Sequence, residues 1–281
     1  MHRTPTCILN NSAAPRTSAG HALDRYVAIG SLTKILTGTA LTRMAAAGHL
    51  TLDDPLERWL PVPPGTGITL RHLAEHTSGL PRLPPGLGPR RDPYAAFDAA
   101  ALHVLLNQLD TLTVRPPGQE VEYSNFGYAV LGAALTVAAE TPYEDLLHEH
   151  VLGPLGIHEM AARPAPDRCL LAPGLLGGHR RPWTMHGAIL AAGGMWATPR
   201  AAAELVAGLL VEQKLGTPAP SWQAAGPLLW HNGATRNASV FAGAMPDGRW
   251  VLIHRLNGSP DDTDTAGMRI LAKSQPTRQN P

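Results

Sequence analysis

Lysine is nearly absent from this 281-residue chain, occurring only as Lys34, Lys214 and Lys273. Lys34 sits among Ile, Leu, Ala and Thr side chains, which argues against ordinary surface charge. The two cysteines, Cys7 and Cys169, exclude a disulfide framework and suit a reducing compartment. A formal charge of +1 excludes bulk electrostatic capture of nucleic acid. No apolar run reaches the roughly 18 residues that a membrane span needs. Met1-His2-Arg3-Thr4-Pro5 does not open an apolar core of signal-peptide length. The expectation is a cytoplasmic protein with neither membrane nor nucleic-acid partners. A Gly-x-Ser-x-Gly elbow and a glycine-rich phosphate loop are also missing, which disfavours an α/β-hydrolase nucleophile and a nucleotide-binding loop.

What is present centres on Ser31-Leu32-Thr33-Lys34. Residues three apart share a helix face, so the serine hydroxyl and the lysine amine can meet. Desolvation lowers a lysine pKa and frees the amine to act as a base. A serine hydroxyl becomes a useful nucleophile when such a base takes its proton. Gly30 allows a backbone to approach closely. The run from Ser31 to Ala47 has helical spacing and stops at Gly48, which puts Ser31 at a helix N-terminus.

Further along, Leu52-Asp53-Asp54-Pro55 reads as a turn before a short helix through Leu60. Thr69 reads as the cap of a helix from Leu70 to His76, stopped by Ser78-Gly79. Residues 81–93 read as an exposed loop, Tyr94 to Leu109 as an amphipathic helix, and Arg115 to Gly118 as a second loop. An apolar helix follows Tyr123-Ser124-Asn125 and ends near Glu140. Thr141-Pro142 and Thr198-Pro199 resemble helix starts with proline in the first turn. Strands are expected at 228–231, 238–242 and 250–253, with Pro246-Asp247-Gly248 as a hairpin turn. Sequential strands pair, so an antiparallel sheet follows, with room for an N-terminal strand to join it. A last helix is expected from Thr263 to Lys273.

Two further groups belong with Ser31 and Lys34. Tyr123-x-Asn125 lies between a Pro/Gly loop and a helix, where side chains commonly face a cleft. A phenol near a lysine ammonium ionises more easily and can shuttle a proton, and the amide beside it can hold a substrate carbonyl. His231-Asn232-Gly233 ends an apolar strand and supplies a positive or hydrogen-bonding group together with a glycine that permits close approach.

The ordered set Ser31/Lys34, Tyr123/Asn125 and His231/Gly233 resembles the serine β-lactamase and penicillin-binding-protein superfamily. Gly48 to Pro55, Leu73 to Gly79, Tyr123 to Tyr128, Gly153-Pro154-Leu155-Gly156 and Gly193-Gly194 resemble its class C, esterase-like branch. The likeness runs from about residue 20 to 258. It implies an α+β fold of the β-lactamase/transpeptidase type: an antiparallel sheet flanked by helices, plus a mainly helical lobe. The expectation is one catalytic domain over 1–281, with the helical lobe at roughly 50–190 and the sheet lobe at roughly 1–30 and 227–281. The resemblance makes Ser31 the acylated nucleophile and lets Lys34 and Tyr123 share the proton. Asn125 orients the acyl side chain and His231 assists protonation. The backbone N–H groups of Ser31 and Ala234 form the oxyanion hole.

Departures narrow the reading. The family carries a helix and two strands before its nucleophile; thirty residues leave little room, so one strand is expected to be missing or the sheet abbreviated. Only 36 residues separate Gly194 from His231, which suggests an open cleft. Asn232 and Ala234 stand where relatives place hydroxyl residues that hold a substrate carboxylate, and Arg236 is a candidate replacement. The leading expectation is a hydrolase of a small-molecule ester or amide. Transfer of the acyl group to an amine or alcohol, as in natural-product assembly, stays open, as do D-alanyl-peptidase or lactamase activity and a non-catalytic binding protein. No cofactor is expected. His72-Leu73-Ala74-Glu75-His76 also fits a His-x-x-Glu-His zinc pattern, a disfavoured rival, and His148-Glu149-His150 has the wrong spacing for one helix face.

Overall fold

A computed structural model describes residues 4–88, 91–174 and 177–273. In chain order the strands are β1 (Thr6–Asn10), β2 (Arg16–Ser18), β3 (Val27–Ala28), β4 (Met160–Ala161), β5 (Trp196–Ala197), β6 (Gln223–Ala225), β7 (Leu228–Ala234), β8 (Ala238–Ala244) and β9 (Trp250–Leu256). The helices are α1 (Thr33–Ala46), α2 (Leu70–Ala74), α3 (Ala99–Leu106), α4 (Leu109–Leu112), α5 (Asn125–Ala139), α6 (Tyr143–Leu147), α7 (Gly153–Leu155), α8 (Leu190–Gly193), α9 (Pro199–Val206) and α10 (Pro260–Lys273). No helix among the described residues is long and apolar enough to cross a membrane.

The main sheet is antiparallel, in the order β2-β1-β9-β8-β7-β6. Its centre, β8, is buried along its whole length because both faces are covered. On one face α10 packs its Leu271 over Phe241, Val251 and Ile253. Gly267 allows this, since a Cβ there would collide with the Phe241 ring. The other face carries α9 and the turn that leads into α1. Helix α1 is buried from Thr33 through Leu41, on every side, as befits a helix running through the core between sheet and helical region.

The three strands expected near the C-terminus are present, each longer than its apolar segment suggested. Gly248, at φ +84°, closes the expected hairpin. The expected abbreviation of the sheet is not found. Both β1 and β2 fit within residues 6–18, and β1 pairs along β9 from Thr6↔Arg255 to Asn10↔Val251. Strand β2 has exposed Arg, Thr and Ser side chains and so carries no apolar signal.

Several helix starts differ; α10, expected from Thr263, begins at Pro260. The 94–109 helix begins only at Ala99, because the Asp98 carboxylate accepts the Ala101 N–H and sets the cap there. Pro142 itself, not Thr141, occupies the cap position of α6. Thr198 does cap α9, with Pro199 in the first turn. Thr69 caps α2 in a reciprocal capping box with His72.

Candidate active site

Ser31 lies in a 3-10 turn, Gly30–Leu32, that runs directly into α1. The tighter turn lines up positions i and i+3, which brings Ser31 and Lys34 together. Gly30 has φ +51°, and a Cβ there would lie 2.8 Å from the Ala234 carbonyl oxygen. Gly233 is pressed against the same turn: a Cβ would strike the Ile29 carbonyl and lie 3.0 Å from Leu32 N. Backbone thus nests on backbone where β7 meets the Ser31 turn. Gly233→Ala should lower stability by about 1–3 kcal/mol through overpacking and cut turnover with it. Thermal melting and ester hydrolysis measured side by side would show both losses, and wild-type values would remove the close approach from the account.

Thr33 fixes the turn from beneath. Its hydroxyl donates to the Gly30 carbonyl at 2.7 Å and accepts the Met195 N–H at 3.2 Å. Helix α8 and Gly194 thereby lie against the turn and present their carbonyls to α1. Thr37 donates to Ala191 O at 2.7 Å, and Lys34 Nζ donates to Ala192 O at 2.6 Å.

Lys34 is fully buried. Its Nζ donates to Asn125 Oδ1 at 2.7 Å and lies 3.4 Å from Ser31 Oγ. The Tyr123 and Tyr128 rings stand 4.7 and 5.2 Å from Nζ and wall it off from water. Burial, with a smaller push from the Arg82 guanidinium, holds the amine pKa well below its ordinary value of 10.5. In its neutral form the amine has two N–H groups, matched by Asn125 Oδ1 and Ala192 O, and its lone pair is then left for the Ser31 hydroxyl.

Tyr123 packs beside Ser31, and its pKa moves opposite to the sequence expectation. Burial pushes it up to about 12, against the lowering effects of the Ser31 side chain and Arg82. With its pKa near 12, the Tyr123 hydroxyl keeps its proton at neutral pH. His76 packs on its ring, with centroids 4.6 Å apart, while the Arg82 guanidinium lies 5.0 Å from the ring on an exposed loop. His76 Nδ1 accepts the Ser124 N–H at 3.1 Å, and the Arg82 carbonyl accepts the Asn125 N–H at 2.8 Å. These contacts seat Tyr123 and Asn125. His72 is engaged by the α2 capping box, so the two histidines of the His-x-x-Glu-His segment serve as backbone anchors.

His231 is buried, and burial together with Lys34 lowers its pKa to about 3, which removes the positive charge expected of it. Its Nδ1 donates to the Asn232 carbonyl, so Nε2 is an acceptor. The Asn232 side chain is not brought to the site. Its amide donates to Asp264 Oδ2 on α10 at 2.6 Å, on the opposite face of the sheet. Ala234 is exposed and abuts Gly30, next to Ser31. Arg236 lies past the strand end, exposed, and donates to the Arg91 carbonyl at 3.2 Å. The structure therefore gathers Ser31, Lys34, Tyr123, Asn125, His231, Gly233 and Ala234, leaves Asn232 outside, and sets Arg236 at the rim. Arg82 and the Ala192 carbonyl have no pattern in the sequence that would single them out. His76 stood out only within the zinc-like motif.

Comparison with known proteins supplies a family and a fold. A sequence model described as Beta-lactamase matches residues 13–275. The D-alanyl-D-alanine-carboxypeptidase/endopeptidase AmpH of Escherichia coli (strain K12) is 36% identical over 162 residues, covering 55% of this chain and 41% of AmpH. The chain thus spans under half the length of that relative. Esterase EstB of Burkholderia gladioli is 33% identical over 150 residues, covering 48% of this chain and 38% of EstB. The crystal structure of a beta-lactamase/D-alanine carboxypeptidase from Yersinia pestis complexed with citrate superposes with a TM-score of 0.78. It covers 96% of this chain and 92% of that one, at 21% identity.

Proposed function

The chain belongs to the Beta-lactamase family, and from that premise we propose that it is a serine acyl-enzyme hydrolase of a small-molecule ester or amide. The observation that carries the reading is the fully buried Lys34 amine, held at Asn125 and Ala192 and 3.4 Å from Ser31 Oγ. Lys34 Nζ accepts the hydroxyl proton as Ser31 Oγ attacks the substrate carbonyl carbon. The backbone N–H groups of Ser31 and Ala234 face the developing oxyanion, worth about 3–4 kcal/mol for each donor. Tyr123, a neutral hydroxyl beside Ser31, passes a proton to the leaving group. Neutral His231 contributes an acceptor at Nε2. Water then attacks the acyl-enzyme, and the same groups act in reverse.

Asn232 is tied to Asp264, and Ala234 has no hydroxyl, so this strand offers a substrate carboxylate no side-chain anchor from either position. That favours an ester over a D-alanyl peptide, as in the esterase relative. A cytoplasmic location is part of the proposal. It is supported by two free cysteines, Cys7 and Cys169.

Intact-protein mass spectrometry after rapid mixing with a small activated ester should reveal a transient acyl adduct. An added primary amine separates hydrolysis, which yields the acid, from transfer, which yields the amide. Absence of both adduct and turnover across several esters and a β-lactam would favour a binding protein. Tyr123→Phe should slow turnover by about 100-fold, the lower range for a positioned proton donor, with its fold intact because the ring still packs on His76. Unchanged kcat would reduce Tyr123 to packing.

A further inference from the structure

At the β7 end of the site, three segments distant in sequence meet and are tied together by hydrogen bonds. Arg236 Nη1 donates to the Arg91 carbonyl at 3.2 Å. The buried Asn237 side chain donates to the Arg181 carbonyl at 3.1 Å. Thr184 donates through N and Oγ1 to the two carboxylate oxygens of Asp92, at 2.9 and 2.8 Å. These bonds use backbone carbonyls and one carboxylate, and the guanidiniums of Arg91, Arg180 and Arg181 take no part in them.

Two adjoining hollows of about 530 and 380 Å³ lie between the segments and share Arg91, Arg181 and Arg236. The second adds Arg180 and His179. Elsewhere Arg58, Arg71, Arg115, Arg168, Arg200 and Arg249 each meet a carboxylate. The four arginines of the groove have no carboxylate partner within ion-pair distance among the described residues, and the one acid lining it, Asp92, holds Thr184 and offsets only one of their four charges. Four unpaired guanidiniums converging on one concavity repel one another unless an anion sits between them.

Resting on the acyl-enzyme reading, we propose that this groove is a substrate subsite for a diphosphate group carried by the acyl donor. A single carboxylate is satisfied by one guanidinium fork. Four arginines in hollows of this size match a group with several negative charges and many acceptor oxygens. The β7–β8 turn that carries Arg236 begins one residue after Ala234, which abuts Gly30, so the anion would anchor beside the acyl site. Thr235 N donates to Ala238 O and keeps that turn closed.

The test is calorimetric titration with sodium diphosphate at low ionic strength, on wild type and on Ser31→Ala. Both should bind, with affinity falling as sodium chloride is raised. The double variant Arg180→Ala/Arg181→Ala should bind at least tenfold more weakly. Its fold should persist, since these segments are held through backbone atoms of both residues. In wild type, an activated ester bearing a diphosphate should acylate Ser31 at a half-saturating concentration at least tenfold lower than the neutral ester of the same acyl group.

Absence of diphosphate binding, equal binding by the double variant, acetate binding as tightly as diphosphate, or equal half-saturation by the two esters would each overturn the proposal. Diphosphate binding with no Ser31 adduct from any ester would support the anion site and overturn the acyl-enzyme reading instead.

Discussion

Ser31→Ala should abolish the acyl adduct and lower ester turnover on the order of 10⁵–10⁶-fold, the loss typical when a covalent nucleophile is removed from a coupled set. What remains should be the weak assistance of the oxyanion donors and substrate binding, because the 3-10 turn and the Gly233 contact do not involve the hydroxyl. Stability should change by no more than about 1 kcal/mol, the worth of an ordinary hydrogen bond, since Ser31 is only half-buried and fills no core space. Two readouts keep the outcome clear. Intact mass should show an adduct in wild type and none in the variant, and thermal melting should coincide for both. A persistent adduct on Ser31→Ala would move the nucleophile elsewhere. A large loss of stability would make the kinetic loss uninformative, and Ser31→Gly would then serve as the comparison.

The parts of the site that could be read from sequence are those governed by local periodicity. Ser31 and Lys34 are one turn apart, so their meeting follows from helical spacing alone, and burial of α1 follows from the apolar residues on all its sides. The strand from Leu228 follows in the same way, yet its alternation bears on a finer point. Neighbouring residues of a strand point to opposite faces, so His231 and Asn232 cannot both line the cleft. With His231 beside Lys34, Asn232 is driven to α10 and Asp264. Tyr123 shows a different limit. Its spacing to Asn125 is visible, but its protonation depends on how His76, Arg82 and Tyr94 close around it from loops remote in the chain. Strand β2 is the third kind. Three exposed polar residues form a strand only because β1 offers them an edge, and no pattern within Arg16–Ser18 expresses that.

Lys34 is the position where replacement separates base from scaffold. Lys34→Arg keeps a donor-rich side chain for Asn125 and Ala192 but holds a permanent charge, so it cannot accept a proton. Lys34→Met keeps the volume and gives up both bonds. Each should slow acylation by about 10³–10⁴-fold, the upper range for a general base. The pH dependence supplies a sharper signature. With the amine pKa held below 10.5 by burial, acylation should rise with pH through an ionisation well below that value in wild type, and this rise should be lost in Lys34→Met. Stability should move in the same direction. Between the lowered folded pKa and the ordinary value the unfolded chain holds more protons than the folded one, so unfolding free energy increases with pH across that window. Below the folded pKa both states are protonated, and the cost of the buried charge is present in full. Denaturant titrations of wild type and Lys34→Met over the alkaline range should therefore diverge, with only wild type gaining stability as pH rises. Parallel curves, together with near-normal acylation in Lys34→Met, would remove Lys34 from the proton path and leave it as a buried strut between α1, α5 and α8.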